Sequence, residues 1–170
     1  MKKGFALVLA IAFSAGCLLH ALAEEGFAFR NTRWGMTQEE VLASEPNGRS
    51  YASDTSIGFV ELTIADQIPA SVLFSFGPDG KLYRAGYTIR GTDNEKLEFY
   101  DFLKKLLVTE CGEPNVEFDD LDFVDGKWDG IRLETYATEQ SNIYFSMIGI
   151  SSGISMDLYY EDIAYAREAD

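Results

Sequence analysis

The stretch Arg33-Trp34-Gly35-Met36-Thr37-Gln38-Glu39-Glu40-Val41 decides how the chain is organised, because it specifies the start of a helix in several ways at once. Thr37 and Glu40 form a T-x-x-E capping box, in which each side chain accepts a hydrogen bond from the other residue's backbone N–H. Met36 and Val41 have the spacing of a hydrophobic staple across this cap. The tryptophan and glycine before them supply a bulky anchor and a flexible joint. The stretch predicts a short helix over about residues 38–44.

A second capping box, Thr92-Asp93-Asn94-Glu95, starts a longer apolar helix that Gly112 ends. Three runs with strand periodicity follow each helix, within residues 57–64, 72–76 and 82–89 and then 131–135, 143–147 and 154–160. The order predicts an α+β fold of two helix-plus-three-strand pseudo-repeats, about 33–91 and 92–165. We expect one antiparallel sheet with both helices packed on one face and the other face open.

Residues 1–23 have the pattern of a secretory signal, with Lys2 and Lys3, an apolar run over 5–13, and an Ala21-Leu22-Ala23 cleavage site. Cleavage would leave residues 24–170 as a single domain in the periplasm or outside the cell. The alternative is a lipoprotein signal, in which Ser14-Ala15-Gly16-Cys17 is a loose lipobox and Cys17 anchors the protein to a membrane. A membrane association is expected in that case alone.

Charge and composition exclude several classes of function. The chain carries 14 basic and 28 acidic residues, a net charge of −14, and an acidic surface repels nucleic-acid phosphates. The one histidine, His20, lies in the signal, so histidine-activated nucleophiles and histidine-ligated zinc are excluded from residues 24–170. Cys111 is then the one remaining cysteine, and no glycine-rich phosphate loop or G-x-S-x-G motif occurs. The sequence predicts no cofactor, no catalytic residue and no enzymatic activity.

Two groups of residues are candidates for a site. Tyrosines alternate with apolar residues on several predicted strands, and they form a binding face if the strands align: Tyr83, Tyr87, Tyr136, Tyr144 and Tyr159. Tyrosine is enriched at interface hot spots because it offers a large contact area with few rotatable bonds. The second group is the acidic loop over 117–129, where the oxygens of Asp120, Asp122 and Asp125 are possible calcium ligands.

The opening Phe29-Arg30, followed by Trp34-Gly35-Met36-Thr37 and Glu39-Glu40-Val41, resembles an FR-x-x-x-WGM-[ST]-x-E-E-V motif of uncharacterised bacterial exported proteins. The pattern of a short helix followed by a strand meander is similar to the SmpA/OmlA outer-membrane assembly lipoproteins and to β-lactamase-inhibitor-protein (BLIP-like) repeats. This resemblance implies a non-enzymatic domain in which a concave sheet grips a protein partner. The matching residues are structural, so the resemblance implies a fold and no site.

Together these observations predict an extracytoplasmic protein-binding or envelope-assembly module that uses an open, tyrosine-bearing sheet face. Its partner is an unknown protein in the cell envelope or outside the cell, and no nucleic acid is expected. The alternative is a calcium-dependent or carboxylate-based hydrolase centred on residues 117–129.

Overall fold

The computed structural model describes residues 28–45 and 49–168, and its main feature is an antiparallel sheet of eight strands. The predicted signal and Cys17 lie outside the described residues. The elements in chain order are α1 (Gln38–Ser44), β1 (Arg49–Ala52), β2 (Ser56–Ile64), β3 (Ile68–Phe76), β4 (Leu82–Ile89), α2 (Asp93–Cys111), β5 (Val116–Asp119), β6 (Asp122–Val124), β7 (Lys127–Asp129), β8 (Ile131–Ala137), β9 (Ser141–Ile150), β10 (Gly153–Asp162) and α3 (Ile163–Glu168). No helix in these ranges is long and apolar enough to cross a membrane.

The strands lie in the order β1-β2-β3-β4-β10-β9-β8-β5, and every neighbouring pair is antiparallel. β1, the strand after α1, and β5, the strand after α2, therefore lie at the two outer edges of the sheet. The last strands of the two halves, β4 and β10, pair at the centre. β6 and β7 form a separate two-stranded hairpin. The α+β class and the antiparallel sheet are confirmed.

Both helices begin at the capping boxes that the sequence predicts. The backbone N–H of Thr37 donates to Glu40 Oε2 at 2.8 Å, and that of Thr92 donates to Glu95 Oε2 at 2.8 Å. Each threonine hydroxyl in turn accepts from the glutamate's N–H. Gly112 ends α2 with φ of +82°, a backbone conformation that favours glycine.

The opening stretch joins the two halves of the sheet. The N–H of Gly35 donates to Leu82 O at 2.9 Å, at the start of β4. Trp34 Nε1 donates to Ser141 Oγ at 3.1 Å, at the start of β9 in the other half. Val41 of the following helix is fully buried in the core. The stretch therefore links β4 of the first half to β9 of the second half by hydrogen bonds.

The hydrophobic core lies on the face of the sheet where α2 packs, here called the covered face. Tyr100 of α2 stacks on Phe145 of β9, with ring centroids 4.2 Å apart. Phe29, from the segment before α1, packs against Tyr87 at 4.9 Å and Tyr160 at 5.2 Å. Aromatic contacts of this kind add to the stability that burial of apolar area already gives.

The sequence predicts six strands, and this count is wrong, because the described residues form ten. β1 and β5 are four-residue edge strands, and too few of their residues are buried to give a clear period of two. β6 and β7 lie in what the sequence predicts to be an acidic connector. Asp125 and Gly126 join them, with φ of +51° and +78°, as the tight primed turn of a hairpin requires.

Candidate functional site: the open face of the sheet

The face of the sheet opposite α2, here called the open face, carries the candidate site. Cross-strand partners in an antiparallel sheet lie on the same face, so the pairing register assigns each side chain to one face or the other. Residues on the open face include Leu73 of β3, Tyr144 of β9 and Tyr159 of β10. α1 and α2 contribute their buried residues to the covered face.

An apolar strip crosses the open face over β5, β8 and β9. It consists of six side chains, Val116, Phe118, Ile131, Leu133, Ile148 and Ile150. Phe118 pairs with Leu133, and Ile131 pairs with Ile148, so the six side chains are neighbours on three adjacent strands. Exposed fractions are 52% for Val116, 48% for Phe118, 38% for Ile148 and 43% for Ile150. Contiguous exposed apolar surface of this kind is typical of interaction sites.

A tyrosine cluster lies beside the strip at the centre of the open face. Tyr144 and Tyr159 are cross-strand partners, and the guanidinium of Arg84 lies 4.5 Å from the centre of the Tyr159 ring. The Tyr144 hydroxyl donates to Glu161 Oε2 at 3.3 Å. Partial burial and the Glu161 carboxylate raise the pKa of Tyr144, so its hydroxyl stays protonated at neutral pH.

The Tyr159 ring lies directly over Gly86 on the neighbouring strand. A Cβ atom at Gly86 would be 2.5 Å from Tyr159 Cδ1 and 2.6 Å from Leu158 O, so only glycine fits there. Burial and the nearby Asp157 raise the pKa of Tyr159, while Arg84 opposes the change. The cluster therefore presents neutral hydroxyls and one cation beside the apolar strip.

Two of the five predicted tyrosines do not lie on the open face, and the prediction for them is wrong. Tyr87 is 5% exposed and Tyr136 is 2% exposed, both on the covered face. The sequence places Tyr83 and Tyr87 on one face because they are four residues apart. Tyr87 shares its face with the buried Ala85, so this side of β4 is the covered one, and the irregularity in the β3–β4 register affects only the end of β4 next to Tyr83. Tyr83 is half-buried at the end of β4 and stacks on Tyr165 of α3, with centroids 4.1 Å apart.

Tyr136 is buried because the side of β8 that the sequence assigns to the open face lies on the covered face. The apolar residues of β8 are on the open face, whereas Arg132, Glu134 and Tyr136 point under α2. Glu134 is 1% exposed and accepts a hydrogen bond from the Tyr136 hydroxyl at 2.5 Å. Lys104 Nζ of α2 lies 2.5 Å from Glu134 Oε1 and 2.7 Å from Glu117 Oε1.

We call Lys104, Glu117, Glu134 and Tyr136 the buried polar cluster. Partial burial lowers the pKa of Lys104, but its bonds to Glu117 and Glu134 outweigh this effect and raise the pKa overall. Next to the cluster, Arg132 Nε lies 2.8 Å from Asp119 Oδ2. Sequence reasoning missed the cluster, although Arg132, Glu134 and Tyr136 alternate along one strand. Because the ion pair and the hydrogen bond of the cluster stabilise the buried Glu134 and Tyr136, β8 can place its apolar residues on the open face.

In the predicted acidic loop, over residues 117–129, the three candidate aspartates belong to local structural elements. Asp120 Oδ1 accepts a hydrogen bond from the N–H of Ile131 at 2.7 Å, while Asp122 and Asp125 belong to the β6–β7 hairpin. Over residues 28–45 and 49–168, no group of three or more acidic, histidine or cysteine side chains is arranged to hold a metal ion. Calcium binding at these aspartates stays a prediction.

Comparisons with known proteins show a similar fold and do not point to any particular activity. No protein-family model matches the chain, and no curated protein matches it. A crystal structure of a DUF4309 family protein (YjgB) from Bacillus subtilis strain 168 is similar in fold, with a TM-score of 0.50 and 13% sequence identity. The match covers 91% of this chain and 99% of that one. At this identity the likeness concerns the fold alone.

Proposed function

We propose that the protein is a non-enzymatic binding module that acts outside the cytoplasm and holds a protein partner on the open face. The observation that carries the proposal is the apolar strip, four of whose side chains are 38–52% exposed. Leaving such side chains in water has a cost, of about 25 cal/mol per Å² of apolar surface, that a bound partner would remove. The neighbouring tyrosines Tyr144 and Tyr159 add a residue type that is enriched at interface hot spots.

We further propose that the fold is an internal duplication of the BLIP-like and SmpA/OmlA kind. One copy would comprise α1 with β1–β4, and the other α2 with β5 and β8–β10, into which the β6–β7 hairpin is inserted. The support is that each copy starts at a T-x-x-E capping box and runs from a sheet edge to the centre. Export rests on the signal pattern of residues 1–23.

The proposal is tested by affinity capture from the envelope and exported fractions of the cells that produce the protein. The test variant carries Ile148→Ser and Ile150→Ser, which remove apolar contact area from β9 without touching the core. The matched control is Phe123→Ser, because Phe123 is 61% exposed but lies on the separate hairpin. Circular dichroism first establishes that both variants are folded.

We expect a specific partner that the control retains and the double variant loses, with an affinity decrease of about thirtyfold or more, as for a hot spot worth about 2 kcal/mol. Equal capture by the double variant would contradict binding through the open face. Loss of capture in the Phe123→Ser control alone would place the binding site on the hairpin.

A further inference from the structure

We infer that the partner contributes an extended strand that adds to the free edge of β5 and alternates apolar with basic residues. This inference rests on the proposed function and names the partner's chemistry at one end of the open face. Val116 and Phe118 belong both to β5 and to the apolar strip, so an added strand would continue the same surface.

β5 offers a free edge for strand addition. It is the last strand of the sheet, it pairs with β8 alone, and all four of its residues are exposed. The N–H of Asp120, just after β5, donates to Ile131 O of β8 at 3.0 Å. Because hydrogen bonds alternate along an antiparallel ladder, the backbone N–H and C=O groups of Glu117 and Asp119 point away from β8. They are therefore available to a new strand.

The side chains of β5 define what an added strand would carry. Val116 and Phe118 point to the open face, whereas Glu117 and Asp119 point to the covered face, where they meet Lys104 and Arg132. Residues that pair across strands share a face. Apolar residues of the partner would thus lie beside the apolar strip, and its alternate residues would lie beside the two carboxylates.

The charge balance at this edge favours basic residues at those alternate positions. Lys104 is one cation between two carboxylates, Glu117 and Glu134, so this group keeps an excess negative charge. Asp119 is balanced by Arg132. The whole chain has a net charge of −14, which also attracts a basic segment and speeds its encounter.

A second copy of this chain is a poor occupant for the same reason. Two β5 strands related by a two-fold axis, with their apolar residues on one face, must pair residue 117 with 117 or residue 118 with 118. The first register puts Glu117 opposite its own copy, and the second puts Glu117 opposite Asp119. Like charges directly opposite each other destabilise a strand pair.

The experiment titrates the purified protein with three synthetic peptides and follows backbone amides by NMR. One peptide alternates lysine with valine, one alternates glutamate with valine, and one has the lysine–valine composition in scrambled order. We expect the lysine–valine peptide to bind at least about tenfold more tightly than the other two, a difference of about 1.4 kcal/mol. Its binding should protect the amides of Glu117 and Asp119 from hydrogen exchange and should weaken as salt is raised.

Two variants sharpen the test. Glu117→Pro removes a donor that points to the free edge and should abolish binding, while Ser50→Pro on the opposite edge strand β1 should leave it unchanged. Glu117→Lys with Asp119→Lys should make the glutamate–valine peptide the preferred one, which provides an independent test if a proline variant fails to fold. Protection at β1 instead of β5, an unchanged peptide preference in the lysine variant, or a dimer that forms without peptide would each overturn the inference. If the Ile148→Ser, Ile150→Ser variant loses its partner while the β5 amides stay unprotected, the proposed function stands and this inference fails.

Discussion

Replacing Lys104 with methionine should destabilise the protein strongly, because it leaves a buried carboxylate without its cation. Glu134 is 1% exposed, and Lys104 Nζ lies 2.5 Å from it. Removing one partner of a buried ion pair costs about 3–5 kcal/mol. The Tyr136 hydroxyl still donates to Glu134, so we expect a loss near the lower end, about 3 kcal/mol. The other bond of Lys104 goes to exposed Glu117 and adds little.

The assay is urea unfolding followed by tryptophan fluorescence, with thermal unfolding in parallel. A loss of 3 kcal/mol corresponds to a decrease of about 6–12 °C in Tm for a domain of this size. The matched control is Lys105→Met, one residue along α2, where the side chain is exposed and makes no ion pair with any described residue. Its effect should be within about 0.5 kcal/mol.

A second variant tests the cause of that loss. Lys104→Met combined with Glu134→Gln removes both charges, so it should be more stable than Lys104→Met alone by about 1–2 kcal/mol. A loss below about 1 kcal/mol for Lys104→Met, or no recovery in the double variant, would refute the view that the buried polar cluster holds β8 in place.

Three further predictions concern the open face and the acidic residues. Gly86→Ala should lower the free energy of unfolding by about 1–3 kcal/mol, because the new Cβ would meet Leu158 O as well as the Tyr159 ring. Gly58→Ala should lower it by only about 0.5 kcal/mol, because the new Cβ meets the exposed ring of Tyr51, which can move aside. Urea unfolding compares the two variants. The hydrogen bond from Arg132 holds the pKa of Asp119 below its usual value, so the stability it gives is present above about pH 4 and is lost as the pH falls further. Asp119→Asn should therefore reduce stability at pH 7, by an amount that decreases as the pH falls below about 4. The alternative calcium site at Asp120, Asp122 and Asp125 predicts that millimolar calcium raises Tm relative to a chelator, and an unchanged Tm would contradict that site.

Features that depend on local chemistry could be predicted from the sequence. The two capping boxes place the helix starts because the hydrogen bonds involved join residues three positions apart. The antiparallel arrangement follows from short turns such as the one over 77–80, between β3 and β4. Tyr144 of β9 and Tyr159 of β10 lie opposite the buried residues of their own strands, as the sequence predicts, because both strands alternate without interruption.

Features that depend on distant partners could not be predicted. Tyr87 lies on the covered face because its partner Val72 on β3 is buried there, and the residues of β4 alone do not reveal which of its two faces is covered. β8 presents its charged side to the covered face because Lys104 of α2, thirty residues before Glu134 in the chain, forms an ion pair with it. A strand that alternates charged and apolar residues fits a sheet in either orientation, and only the contact with α2 decides between them. The apolar strip was missed for this reason.

Photo-crosslinking tests the central claim, that the open face holds a protein partner, most directly. A photo-reactive residue replaces Ile148 on the open face in one variant and Asp101, an exposed residue of α2, in another. In the cells that produce the protein, we expect the residue at position 148 to crosslink one defined partner and the residue at position 101 to crosslink none. A defined partner at position 101 with none at position 148 would contradict the account.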